Sequence, residues 1–573
     1  MKDPRRVLAV VVTLAAVLLV ASPSAGPDLG FYLDWAEAAL AADVFKLHGS
    51  VLSPLGVPLS QWSAGPGLLF ASGKLLVGGL AGVRDAALAV GSVAALVWWW
   101  ALATLLGRAA EGRGLLVVFG AGAALVGTHA GFYSHSHASE SLSYGACGLM
   151  LVLLTAPGWK TLDALKLGTA AALLLLIRPQ HALYAVPALA LGAARTWRTP
   201  ATSRARAFVF LAAPLALSAG IAAAVNRWMT GSLLRSPYAF GGAGFLSLDF
   251  RRPELAAVLL HPYHGLLPYH PLCGVGFAAL AACLWRSRDV EERAVWLAGL
   301  LAVMAHFYLQ ASWYVWWMGT LSFGMRGLAL AAVVLVPALV RVIARTAPDG
   351  VERLVWIAAA VGCGLWSALQ LLQRHGAIRT WPELFASQQR GLKGLLPLEM
   401  WGPLAVGLAL AAAAVWALRP EPGQGMLTAA AALLAGLGLG YLLYRASGRW
   451  LRRGAPEELR VELLVLVLAA AALLPVVAVA RGRGVRLREA MAEGLAWSAA
   501  ASLIVAGLLF LRLAAQTEER IAAGVRPTRP MRYAGSVELD QAREAYYEYL
   551  ELPGFDQKRA ALLAFLEANG VQP

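Results

Sequence analysis

A set of acids, bases and cations stands at the ends of long apolar runs. Asp28 and Asp34 close the stretch Pro27-Asp28-Leu29-Gly30-Phe31-Tyr32-Leu33-Asp34, and His135, His137 and Glu140 lie in Gly131–Glu140. Arg178, His264 and Arg326 come from three further segments. A charged side chain beside a membrane-length apolar run is costly, so each needs a reason. A carboxylate at a low-dielectric boundary resists ionisation unless cations offset the loss of water, and such a group can serve as general base toward a hydroxyl. Cations beside it suit an anionic leaving group, and in a membrane the obvious one is a lipid phosphate. Tyr32, His135 and His137 add a hydroxyl and rings for donor or acceptor contacts. Taken singly, each of these residues reads as a solvated loop position, and Arg178 as a side chain snorkelling to the headgroups. Their convergence on one face is what points to chemistry.

Convergence depends on the spans. Of 573 residues, 59% are hydrophobic and 14% charged, against about 25% charged in a soluble domain. Apolar runs of roughly 17 to 25 residues recur, each long enough to cross a hydrocarbon core as a helix. The sequence predicts an all-α polytopic transmembrane bundle of about 13 to 15 spans, with outer-face loops and a small helical C-terminal tail. The net charge of +15 comes from arginine clusters between runs, where the positive-inside rule places them, and this argues against a nucleic-acid partner. Cys147, Cys273, Cys283 and Cys363 are scattered through apolar segments and read as small core side chains.

The first span, at about 7–24, is expected to stay uncleaved with its basic end inside, so that Asp28 emerges on the outer face. Leu68 to Leu80 is short, apolar and bears Lys74, the pattern of a helix lying in the interface. Counting onward, His135, His137, Glu140, Arg178, His264 and Arg326 all fall on the side of Asp28. Further spans are expected near 400–418, 426–444, 460–480 and 494–514. Gly436-Leu437-Gly438-Leu439-Gly440 has no strand before it and reads as helix packing, not a phosphate loop. From about Thr517 the chain becomes charged, with helices expected to start from caps at Ser536 and Asp556. Tyr546, Tyr547 and Tyr549 are expected to pack that hairpin onto the membrane domain.

Several motifs, taken in order, resemble a family. They are Asp28-Leu29-Gly30-Phe31-Tyr32, Gly65-Pro66-Gly67-Leu68-Leu69, Ser136-His137-Ala138, Arg178-Pro179-Gln180, Tyr263-His264-Gly265-Leu266 with Pro271, and Trp316-Trp317-Met318-Gly319 with Ser322-Phe323-Gly324-Met325-Arg326. The series is similar to bacterial GT-C glycosyltransferases, the polytopic enzymes that include protein O-mannosyltransferases and lipid A aminoarabinose transferases. The resemblance covers about residues 1–345, followed by additional transmembrane helices over 346–515 and a soluble tail over 516–573. It implies a multi-pass enzyme of the inner membrane that moves a sugar from a polyprenyl-phosphate donor to an acceptor hydroxyl on a glycan, lipid or protein, with inversion. Asp28 matches the family's essential acid in the first outer loop. The second acid is left between Asp34 and Glu140, because Leu29 follows Asp28. Arg326 and His264 match positions that could hold the lipid phosphate, with Arg178 a third candidate. No cofactor is certain; a divalent metal on Asp28, His137 and Glu140 is conceivable, although their spacing follows no fixed ligand pattern. The competing class is a lipid-linked sugar flippase or transporter, which would show internal repeats and polar, broken helices at the midplane. Here the polar residues gather at loop mouths.

Overall fold

The computed structural model describes residues 28–47, 51–53, 56–60, 62–234, 248–316, 324–348, 350–371, 378–394, 487–525, 532–552 and 554–571. The expected spans at 7–24, 400–418, 426–444 and 460–480, the Gly436–Gly440 stretch and Trp317–Phe323 lie outside the described residues. The chain opens with α1 (Leu29–Ala41), the short strands β1 (Val51–Leu52) and β2 (Pro58–Leu59), and then α2 (Ala64–Val77), α3 (Val83–Ala109) and α4 (Gly114–Gly127). Next come α5 (His129–Ser136), α6 (Ala138–Leu154), α7 (Thr161–Ile177), α8 (Ala182–Trp197) and α9 (Ala201–Thr230). The short α10 (Leu255–Leu260) and α11 (Leu266–Tyr269) lead into α12 (Pro271–Arg286) and α13 (Val290–Ser312). A 3-10 turn at Arg326–Ala331 feeds α14 (Ala332–Arg345), followed by α15 (Val351–Leu371) and α16 (Trp381–Gly394). The last described elements are α17 (Leu487–Ala522), β3 (Arg532–Tyr533), α18 (Ala534–Leu550) and α19 (Asp556–Ala568).

This is a multi-pass membrane protein. Six described helices are long and apolar enough to cross a bilayer: Val83–Ala109, Ala201–Thr230, Val290–Ser312, Arg326–Arg345, Val351–Gln370 and Ala499–Ala522. Shorter apolar helices at Ala64–Val77, Gly114–Gly127, Ala138–Leu154 and Pro271–Arg286 fill the bundle between them. The first three are buried at most positions, as helices surrounded by other helices must be, while Pro271–Arg286 buries one side, at Leu272, Gly276, Ala279 and Cys283, and leaves Trp285 exposed. In α14 all but two residues are buried. The most extensive packings join α7 to α9, α3 to α6, α1 to α2, α12 to α14, α6 to α7 and α8 to α13.

Residues 68–77 belong to α2, which is buried from Ala64 to Gly73 and exposed at Leu75 and Leu76. The reason is the motif Gly65-Pro66-Gly67. A Cβ on Gly67 would stand 2.4 Å from Trp35 Cβ and 2.6 Å from the Tyr32 carbonyl, and one on Gly65 would meet the Leu176 carbonyl at 2.0 Å. Without side chains there, α2 slides between α1 and α7, the close approach that small residues permit in a membrane. Helix also continues beyond Thr517 to Ala522, with Thr517 buried. The expected helix starts are corrected: α18 starts at Ala534, before Ser536, and Phe555, not Asp556, precedes α19.

The tail lies on the face that carries Asp28. β3 pairs in parallel with β1, Val51 opposite Arg532 and Leu52 opposite Tyr533, while β1 pairs antiparallel with β2. Tyr549 is buried and donates to the Tyr314 carbonyl at 2.6 Å, Tyr263 donates to Glu548 at 2.9 Å, and Lys558 pairs with Glu254 at 3.0 Å. Tyr549 thus packs the hairpin down as expected, while Tyr547 remains exposed.

Candidate active site

Four charged side chains meet at the ends of four separate elements. Asp28 precedes α1 and is 8% exposed; its side chain makes no capping bond and turns inward. Glu140 sits in the first turn of α6, Arg178 ends α7, and Arg326 opens the 3-10 turn before α14. The acids lie at helix N-termini and Arg178 at a C-terminus, so each is favoured by the partial charge of its own helix end.

The geometry is a neutral quartet of two buried acids and two half-buried arginines. Arg178 Nη2 stands 2.6 Å from Glu140 Oε1 and 3.7 Å from Asp28 Oδ2. Arg326 Nε donates to Glu140 Oε1 at 2.7 Å, and its Nη2 reaches both Asp28 Oδ2 and Glu140 Oε1. Ser139 donates to the other Glu140 oxygen at 2.7 Å. Two guanidinium groups therefore balance two carboxylates away from water. Removing one member would strand a buried charge, at a cost of about 3 to 5 kcal/mol. Arg178 Nε is buried and, among the described residues, has no hydrogen-bond partner.

Aromatic groups frame the quartet. The Arg326 guanidinium lies 5.8 Å from the Tyr133 ring centre, a cation–π contact. Tyr32, one helical turn from Asp28, is fully buried within electrostatic reach of all four charges. His137 abuts the Tyr133 ring at 5.0 Å, and burial pushes its pKa down to about 4, outweighing the opposing pull of Glu140. Behind Arg178, the His181 ring bonds Ser143 at 2.9 Å, and His306 stacks edge-on against it and meets the Tyr184 hydroxyl at 3.3 Å.

The structure brings together Asp28, Glu140, Arg178 and Arg326, with Tyr32 and His137 beside them. It does not bring Asp34 to the quartet. Six residues along a helix leave it about 120° round the axis from Asp28, and the acid that shares Arg326 with Asp28 is Glu140. Nor does His264 join the quartet: its backbone is left-handed (φ 59°), and its ring lies edge-on to Tyr263 and stacked on Tyr269, in the aromatic layer under the tail. The backbone of His135 lies in the last turn of α5, and its side chain is outside the described residues. The proposed metal ligands Asp28, His137 and Glu140 do not form a coordination group: among the described residues no three His, Cys, Asp or Glu side chains are placed to hold a metal ion. The guanidinium groups occupy the carboxylate oxygens instead. Sequence reasoning missed Ser139 and Tyr133, whose only signal was the polar density of residues 131–140. It also missed His306, a lone histidine inside an apolar span.

No family model matches this chain, and no curated protein matches it. Among solved structures it is similar to the crystal structure of ArnT from Cupriavidus metallidurans bound to undecaprenyl phosphate, at 15% identity over 82% of this chain and 79% of that chain, with a TM-score of 0.45. It is also similar to ArnT from the same organism in the apo state, at 16% identity over the same shares, with a TM-score of 0.43.

Proposed function

We propose that the protein is a GT-C type glycosyltransferase of the inner membrane that moves a sugar from a polyprenyl-phosphate donor to an acceptor hydroxyl on the outer face. The observation that carries this reading is the quartet itself: the acid singled out in the first outer segment shares two half-buried arginines with a second acid. Two further facts support it. Arg178 has a donor to spare in Nε, and the ordered motifs of residues 28–326 resemble the family.

In the reaction, a donor phosphate takes guanidinium bonds from Arg326 and Arg178, which frees an oxygen of Asp28. That oxygen accepts the proton of the acceptor hydroxyl. The hydroxyl oxygen attacks the anomeric carbon from the face opposite the phosphate, and the bond from that carbon to the phosphate oxygen breaks. The electron pair leaves with the polyprenyl phosphate, whose added charge the arginines stabilise, and the configuration inverts. Glu140 holds both arginines in place, oriented in turn by Ser139.

The test is to incubate the purified full chain with a panel of polyprenyl-phosphate sugars and follow donor consumption by mass spectrometry. One or more donors should be consumed, and Asp28→Asn should lower kcat by about 10² to 10⁴ while the protein stays folded and inserted. Full activity in that variant removes Asp28 as the base. If no sugar is consumed while a donor lipid is moved across vesicle membranes, the transferase reading falls to the flippase.

A further inference from the structure

A second polar site lies at the opposite end of the bundle. A cavity of about 350 Å³ opens between α3, α6, α8, α13 and α14, within the range of roughly 300 to 1,000 Å³ typical of ligand pockets. Glu140 starts α6 and Leu154, on the cavity wall, ends it. At about 1.5 Å per residue the two sites are roughly 20 Å apart along that helix. Arg326 and Arg341 are separated likewise along the span that ends in α14. By the charge rule that places Asp28 outside, this cavity belongs to the inner leaflet.

Its lining has two parts. Leu105, Leu151, Val334 and Pro337 form an apolar wall, while Arg195 and Arg341 stand at the charged rim. Arg195 is 8% exposed. It donates to the Leu154 carbonyl at 2.8 Å and to Glu291 at 3.2 Å, and its Nε is buried with no hydrogen-bond partner among the described residues. The acids of the rim are already engaged: Asp289 accepts the Glu291 and Glu292 backbone amides at the start of α13, Glu291 pairs with Arg195 and Arg198, and Glu292 pairs with Arg341 and Arg345. Arg341 already bonds Glu292 and Glu111, so what the site lacks is an acceptor oxygen for Arg195 Nε, next to an apolar slot at the depth of a headgroup. A phosphate diester on an acyl chain supplies both, since guanidinium forks match phosphate geometry and basic pockets between spans on this side suit lipid headgroups.

We propose that this cavity binds a phospholipid of the inner leaflet, its phosphate on Arg195 and Arg341 and one acyl chain along the apolar wall. The site is separate from the quartet and does not rest on the transferase reading. The test measures equilibrium binding of dioctanoyl phosphatidylglycerol to the delipidated full chain in detergent. Dioctanoylglycerol, which lacks the phosphate, and inorganic phosphate, which lacks the chains, serve as competitors. Saturable binding is expected, with neither competitor displacing the lipid at equal concentration. Ala156→Trp, which fills the rim of the slot, and Arg195→Lys, which keeps the charge and loses the fork, should each weaken it by about tenfold or more. Ala156→Trp should fold and leave reactions at the outer face unchanged, so it keeps the test informative if Arg195→Lys is unstable. Lipid binding unaffected by Ala156→Trp overturns the proposal, as does equal binding of inorganic phosphate alone.

Discussion

At the scale of single residues, the site turns on charges that cannot be spared one at a time. Arg326 bonds both acids, so Arg326→Ala removes one of the two arginines proposed to hold the phosphate and leaves two carboxylates sharing Arg178 alone. We expect it to raise the apparent donor KM or lower kcat; an unchanged pair would take Arg326 out of the site. His137 gives a pH signature. Its folded pKa of about 4 lies below the ordinary value of about 6.5. Above pH 6.5 the ring is neutral in both states and contributes nothing. As the pH falls through the window from 6.5 to 4, the unfolded chain takes up a proton that the folded one refuses, and stability is lost. At pH 5 that loss is about 2 kcal/mol. Thermal unfolding in detergent at pH 7.5 and pH 5 should therefore show a larger drop for the wild type than for His137→Asn, and equal drops would refute the buried neutral ring.

At the scale of elements, the position of Asp28 depends on how α1 seats against α2. Gly67 allows that contact, because any side chain there would strike Trp35 and the Tyr32 carbonyl. Gly67→Val should cost about 1 to 3 kcal/mol or more through overpacking and reduce transfer, since the shift falls directly on the helix bearing Tyr32. Gly30, on the same helix, provides the contrast, because a Cβ there would meet nothing within 4 Å. Gly30→Ala should be neutral or slightly stabilising, as alanine favours a helix by up to about 1 kcal/mol. Comparable melting losses for the two variants would dismiss the packing account. The motif around Gly65 and Gly67 was legible in the sequence as part of a resemblance; its physical role, two backbones in near contact, was not, because a glycine does not announce which neighbour it admits.

At the scale of the whole molecule, the described bundle has two chemically distinct ends, with the quartet and the C-terminal hairpin at one and the arginine-rimmed cavity at the other. The β1–β3 pairing and the Tyr549–Tyr314 bond tie residues more than 200 positions apart in sequence onto one face. Cysteine labelling from one side of sealed membranes should modify Phe31→Cys and Tyr547→Cys together. Trp285→Cys, 88% exposed at the far end of α12, should react only from the other side. A label at position 547 from the side of 285 would break this arrangement.

Apolar run lengths alone show a helical membrane protein, since they are set by bilayer thickness. The sequence also identified Asp28, Glu140, Arg178 and Arg326 as residues sharing one side, because arginine clusters orient the spans. Which acid partners Asp28 was beyond its reach. Asp34 is near in sequence and Glu140 far, yet helical rotation carries Asp34 away while α6 and the turn at Arg326 bring Glu140 in. His264 likewise has the right residue type and the right side, but its loop folds into the aromatic layer under the tail. Hydropathy reads the position of a residue across the membrane. Its position within the plane is fixed by side-chain packing among helices distant in sequence, and only the tertiary structure decided that.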